Sequence, residues 1–350
     1  MKILFNKIFL LSLLILVGCS KSEEDSNVID NTPSINSIQI SVSSAEVTVG
    51  TTILFTVFDN TGKNRTSEAE FYVDEIEISG SSYTFNDVGN YEVYARYQNI
   101  KSQTENIVVN PTPIEYKQYV LVEDFTGTWC GYCTRVSYAI EQVEKQTDDA
   151  IIIAIHSGNS STRYDPFHFA QVGTLMNAFS VSGYPYGLID RKSRWTPPEP
   201  GNISEVTEKL TKKAYAALAM ESSLDGDMLT IKVKLKMGYN YKALKLGLYV
   251  LEDGLVYDQA NWTTYYDGDP LKDYVHNHVL RKSITGLLGD QIPSDKVGHD
   301  KVFEKEFQYV IPSEFKKENI KMVAFVTEAS KKETINVRVS KIGESQDFEK

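Results

Sequence analysis

Trp129-Cys130-Gly131-Tyr132-Cys133 holds the densest reactive chemistry in this 350-residue chain. Two thiols at this spacing can close a disulfide, or one can attack a partner's sulfur while the other resolves the mixed disulfide. The chain has only three cysteines, Cys19, Cys130 and Cys133, too few to staple a protein of this length. After the pair, Val136, Ala139, Ile140 and Val143 recur at helical spacing. A helix over 130–146 is therefore expected, with Cys130 at its amino terminus. Unpaired backbone N–H groups and the helix dipole favour an anion there, so the Cys130 thiolate is expected to be the nucleophile and Cys133 the resolving thiol. A free cysteine with a pKa of about 8.5 is about 3% thiolate at pH 7, and one lowered to about 7 is about half ionised.

Other residues join the pair as candidates. Asp124 stands in Val122-Glu123-Asp124-Phe125, ahead of Trp129, and Val181-Ser182-Gly183-Tyr184-Pro185 lies downstream. Together with the cysteine segment these resemble thioredoxins. The resemblance implies that a buried Asp124 exchanges protons with Cys133, and that Tyr184-Pro185 is a cis bond beside the disulfide that exposes backbone for pairing with a substrate peptide. On residue type alone, the alternatives are that Asp124 is an ordinary acid at a strand end and Pro185 a trans turn proline. The candidate catalytic set is Cys130, Cys133, Asp124, Pro185 and Trp129, with Tyr184 and Tyr132 as substrate contacts. Glu123 should point to the opposite strand face and is assigned no chemistry. Gly131-Tyr132 departs from the Gly-Pro of reducing thioredoxins, which leaves the redox direction open. His276-Asn277-His278 offers two ligand types but no third histidine or cysteine near by, so it reads as a surface pair, and His156 reads as packed or solvated. No metal and no cofactor are expected.

The elements that would position these residues follow from periodicity. Strands are expected over 119–125, 150–155 and 188–190, a second helix over 167–179, and a closing helix carrying Ile203, Val206, Leu210 and Ala214 with Asn202 as its cap. This gives a thioredoxin-like α/β domain over 115–218. Before it, short alternating runs over 35–110, ending in a segment that resembles the closing hairpin of bacterial immunoglobulin-like domains, predict a β-sandwich that serves as a spacer. The stiff Asn110-Pro111-Thr112-Pro113 separates the two. After it, alternation such as Ile231, Val233 and Leu235 against Lys232, Lys234 and Lys236 predicts a C-terminal β-sandwich over 219–343. The expected fold class is thus multidomain α/β plus all-β, a central thioredoxin-like fold between two sandwiches.

The amino terminus reads as an address. An apolar run over 8–17, too short to span a bilayer, is followed by Leu16-Val17-Gly18-Cys19, which resembles a bacterial lipobox. Residues 1–18 are read as a lipoprotein signal peptide, Cys19 as the lipidated residue that anchors the chain to the membrane, and 19–34 as a flexible tether. Its Lys21-Ser22-Glu23-Glu24-Asp25 resembles the tether of surface-exposed Bacteroidetes lipoproteins. With 47 acidic against 36 basic residues, the chain has no basic surface for phosphates, which excludes nucleic acid as a partner.

Over 117–342 the sequence resembles the Omp28-related outer membrane proteins of Bacteroidetes, on the segment from Tyr119 through Val122-Glu123-Asp124-Phe125-Thr126-Gly127-Thr128-Trp129 to Cys133, and on Tyr184-Pro185. The resemblance implies outer-membrane residence and names no reaction. The residues themselves point to a thiol-disulfide oxidoreductase acting on exported proteins with thiols or disulfides and reset by an unknown redox partner. The competing expectation is a surface binding protein or adhesin whose disulfide is structural.

Overall fold

The strand that carries Asp124 is Val120–Thr126 (β1), and all seven of its residues are buried. That explains why Val120, Leu121 and Val122 are apolar at consecutive positions: a strand covered on both faces has no solvent side to alternate with. β1 leads through Thr134–Glu144 (α1) to Ala150–His156 (β2), which runs parallel to it with Val120 opposite Ala150 and Thr126 opposite His156. The chain then passes through Val172–Ala178 (α2) to Tyr186–Ile189 (β3), antiparallel to β1 on its other side with Asp124 opposite Gly187.

These strands form no sheet of their own. β2 pairs onward with Val279–Ser283, and the sheet continues through Leu244–Glu252 and Ile320–Glu328 to Thr334–Lys341, making nine strands in all. The expected central α/β thioredoxin-like fold is therefore overturned. Strands hold 44% of the described residues and helices 11%. The physical reason is the free edge of β2: its backbone groups need partners, and strands from far down the chain supply them, so β1 and β2 become members of one large mixed sheet. The C-terminal strands likewise do not stand apart. Ala216–Asp225, Met228–Met237 and Val302–Val310 form a three-stranded sheet whose Leu218, Ile231, Val233 and Leu235 share a core with Leu246, Leu248, Met322 and Ala324 of the large one.

Alternation along β1 sends its side chains into two cores. Val120 and Val122 pack with Val136, Ala139, Ile140 and Val143 of α1, while Leu121 and Phe125 pack with Ile153, Leu175, Leu188 and Phe325 on the far face. Each fully buried valine or isoleucine contributes about 1.5–3 kcal/mol, so the apolar face of α1 suffices to hold it on the sheet.

Two helix expectations are corrected. α2 starts at Val172 rather than near 167, because Asp165 accepts the Phe167 N–H at 2.8 Å and the Phe169 N–H goes to the His156 carbonyl, which holds those residues in a turn. The closing helix shrinks to Ser204–Thr207 and a 3-10 turn, since Lys213–Ala214 is drawn into pairing with Tyr116–Lys117. Asn202 does not cap this helix, whose cap residue is Ile203; its amide donates to the Thr196 and Pro198 carbonyls.

The computed structural model describes residues 34–350, in two compact units. One gathers the described chain up to Ser43 with Leu54–Tyr83 and Glu92–Glu105; there Ile38–Val42 pairs antiparallel with residues 55–59 and Phe55 stacks on Phe71. The other, Ser44–Ile53, Thr84–Tyr91 and Asn106–Lys350, holds the cysteine pair. Cys19, the signal peptide and nearly all of the tether lie outside the described residues. Among those described, no helix is long and apolar enough to cross a membrane.

Candidate functional site

Beyond Thr126 the chain turns sharply. The Cys130 N–H bonds to the Gly127 carbonyl and the Cys133 N–H to that of Cys130, and the two sulfurs are joined in a disulfide. α1 begins at Thr134, with Cys133 as its cap residue, so Cys130 sits in the turn before the helix rather than on its first turn. The N–H groups of Arg135 and Val136 already bond to the Tyr132 and Cys133 carbonyls. Cys130 is 5% exposed and Cys133 wholly buried, so of the two residues only the first reaches solvent.

A segment in which the sequence reading noted only His276-Asn277-His278 covers this turn. Residues 253–278 leave the large sheet after Leu244–Glu252 and return at Val279. On the way, the Ala260 N–H bonds to the Thr128 carbonyl, the Trp262 N–H to that of Gly131, and the Gln259 amide to that of Cys130 at 3.1 Å. Thr134 of α1 contacts Asn261 at 2.9 Å and Thr263 at 3.0 Å. The Trp262 indole lies directly on Gly131, where an added Cβ would come within 2.3 Å of the ring. Glycine is required at this position because of that approach. A stretch this long with little regular structure inside a packed domain, carrying a tryptophan and four tyrosines, was the available signal.

Below the turn, Asp124 is buried and its Oδ1 has no hydrogen-bond partner. Desolvation, and then the charge of Glu199, hold its carboxyl well above the ordinary range. Glu199 is itself buried and gripped by the Arg135 guanidinium at 2.5 and 3.2 Å. Asp124 lines a recess of about 100 Å³ together with Ser137, Glu141, His156, Tyr274 and His276.

Residues 173–346 match the family described as Outer membrane protein Omp28. Over this stretch the chain is Omp28-related. The family places the protein at the bacterial outer membrane. Its match includes the Tyr184-Pro185 turn and the covering segment but begins after the cysteine pair, later than the expected start at 117. No curated protein matches. Among solved structures, HBP35 of Porphyromonas gingivalis is similar in fold, with a TM-score of 0.53 at 19% identity over 66% of this chain and 77% of that one. A domain of the outer membrane lipoprotein Omp28 from Porphyromonas gingivalis matches at 20% identity over 38% of this chain and 92% of that one, with a TM-score of 0.26.

The Omp28-related chain brings most of the sequence candidates together. Trp129 donates its indole N–H to the Ser157 carbonyl at 2.6 Å and meets the Tyr184 ring edge-on at 5.6 Å, next to a cis Tyr184-Pro185 bond. Tyr132 is 54% exposed and packs edge-on against Trp262, itself 61% exposed, so an aromatic pair stands in solvent beside the disulfide. Glu123 does point away from Asp124, into a buried ion pair with Arg191 at 2.7 Å. The histidines differ from expectation. His276 is no surface residue: it is buried against His156, Phe167 and Tyr274, and burial with the neighbouring His156 lowers its pKa to about 4. His278 instead bonds to Glu144 at 2.9 Å. His156, also buried, holds Asp165 at 2.8 Å. Among the described residues no group of histidine, cysteine and acidic side chains is arranged to hold a metal ion.

Proposed function

We propose that this outer-membrane protein is a thiol-disulfide oxidoreductase acting on exported proteins, with Cys130 as the sulfur that exchanges with substrate. The observation that carries the reading is a bonded Cys130–Cys133 pair with unequal burial, combined with a buried Asp124 whose Oδ1 has no hydrogen-bond partner, on the strand leading into it. A substrate thiolate attacks the Cys130 sulfur, the Cys130–Cys133 bond breaks, and the Cys133 sulfur leaves with the electron pair and takes the Asp124 proton. A second substrate thiolate then attacks the mixed disulfide, releasing Cys130 and an oxidised substrate; the reverse sequence reduces one. Asp124 returns as the base that deprotonates Cys133 when the pair closes again. Trp129, Pro185, Tyr184 and Tyr132 frame the approach to Cys130, and a lipid on Cys19 would hold the enzyme at the membrane, with the redox partner that resets the pair coming from the same compartment.

A second reading, a binding protein with a structural disulfide, is favoured by the segment 253–278, whose bonds to the Thr128, Cys130 and Gly131 backbone restrict access. One experiment separates them. Cys133→Ser in cells should trap partner proteins as discrete adducts that reductant releases, and Cys130→Ser should trap few. Absence of adducts in both, with a parent disulfide whose potential lies below about −300 mV, would establish the structural reading instead.

A further inference from the structure

The disulfide turn carries at its edge a cation with no counter-charge. A short hairpin, Asn159–Ser160 against Arg163–Tyr164, is fastened to the turn on both sides. The Trp129 indole donates to the Ser157 carbonyl at 2.6 Å, the Thr128 hydroxyl to the Tyr164 carbonyl at 3.3 Å, and the Thr128 N–H to Asp165 at 2.8 Å. At Gly158 hairpin and turn come so close that an added Cβ would lie 2.4 Å from the Arg163 carbonyl and 2.7 Å from the Trp129 ring nitrogen. So placed, the exposed Arg163 guanidinium lies 4.8 Å from the centre of the Trp129 ring, and Trp129 directly precedes Cys130. Five other arginines are held by carboxylates; among the described residues Arg163 has no such partner. The neighbouring Asp165 does not serve, since it is buried and held by His156. A guanidinium packed on an indole keeps N–H groups free to take a carboxylate through two parallel bonds.

We propose that Arg163 selects the substrate, favouring exported proteins whose reacting cysteine has an acidic residue one or two positions away. The Trp129 ring meets Tyr184 edge-on and also carries Arg163, so a chain that approaches Cys130 along Tyr184 and the cis Pro185 passes the guanidinium. An extended chain advances about 3.3 Å per residue, which sets the acid about one or two residues from the cysteine. With 47 acidic against 36 basic residues, the protein as a whole repels an acidic peptide. A preference for acid is therefore local, and it runs against the net charge. The inference rests on the oxidoreductase reading above and names the class of protein that it acts on.

Two synthetic peptides test it, each with one cysteine, flanked by glutamate in one and by lysine in the other. Their rates of thiolate attack on the oxidised full-length protein are divided by their rates on bis(2-hydroxyethyl) disulfide, which removes the effect of the flanking charge on the thiol itself. At low salt the glutamate peptide should react about fivefold faster than the lysine peptide, near the upper range for an exposed ion pair. Added salt should shrink the difference. Arg163→Lys, which keeps the charge, should retain most of the preference, Arg163→Gln should abolish it and Arg163→Glu should reverse it. A glutamate-to-lysine ratio at or below one in the parent, or a ratio that Arg163→Glu leaves unchanged, would overturn the selection and leave the oxidoreductase reading in place. A parent disulfide that neither peptide attacks faster than the reference removes that reading, and the selection with it.

Discussion

Removing the Asp124 carboxyl should stabilise the protein, and by more as the pH rises. The group is buried with Oδ1 unpartnered, a situation that costs about 1–3 kcal/mol even for a neutral polar atom. Because the side chain borders an existing recess, Asp124→Ala adds little new void to offset that gain. The pH dependence follows from linkage. The folded carboxyl titrates well above its ordinary value of 3.8, so between the two titrations the folded state holds a proton that the unfolded state has lost. Parent stability is therefore fully present below the unfolded pKa and falls as pH rises towards the folded one, with a slope of about 1.4 kcal/mol per pH unit. Asp124→Ala and Asp124→Asn lack this slope. Urea denaturation of the oxidised proteins from pH 4 to 9 should show curves that diverge with pH and then run parallel once the folded carboxyl ionises. In a unit of this size each kcal/mol corresponds to about 2–4 °C in melting temperature. Parallel curves across the whole range, or an Asp124→Ala variant less stable than the parent at pH 8, would show that the carboxyl is neither desolvated nor unpartnered as described.

Three further outcomes are expected. Gly131→Ala should push Trp262 off the turn, since the new methyl would sit 2.3 Å from the indole, so the disulfide should be reduced faster by dithiothreitol at a stability cost of about 1–3 kcal/mol; unchanged reduction and unchanged Trp fluorescence would argue against the covering role. Arg191→Met should cost about 3–5 kcal/mol because it strands the buried Glu123 charge, whereas Glu123→Leu with Arg191→Met should be near neutral or stabilising, and a denaturation cycle with no coupling would refute the pair. Cys19→Ala should release the protein from membranes and abolish incorporation of a labelled fatty acid, and persistent labelling would reject the anchor.

How far the sequence reaches depends on the range of the interaction. The cysteine pair, the strand ahead of it and the α1 face made by Val136, Ala139, Ile140 and Val143 were legible because each rests on residues within a turn or two of one another, where spacing and periodicity carry the information. The cis Tyr184-Pro185 bond and the burial of Asp124 were legible only through a resemblance, since neither proline nor aspartate declares its state by type. What the sequence alone did not determine is where β1 and β2 end up. The free edge of β2 is satisfied by Val279–Ser283, over a hundred residues later, and no local pattern distinguishes that pairing from a separate C-terminal sandwich. The same holds for the cover over Cys130: Gln259, Asn261 and Trp262 carry no periodic signal, and they reach the disulfide only because the sheet brings Leu244–Glu252 and Val279–Ser283 beside β2. Local chemistry was written along the chain; the access to it was decided by long-range strand pairing, in which backbone hydrogen bonds are indifferent to sequence and only the assembled core selects the partner.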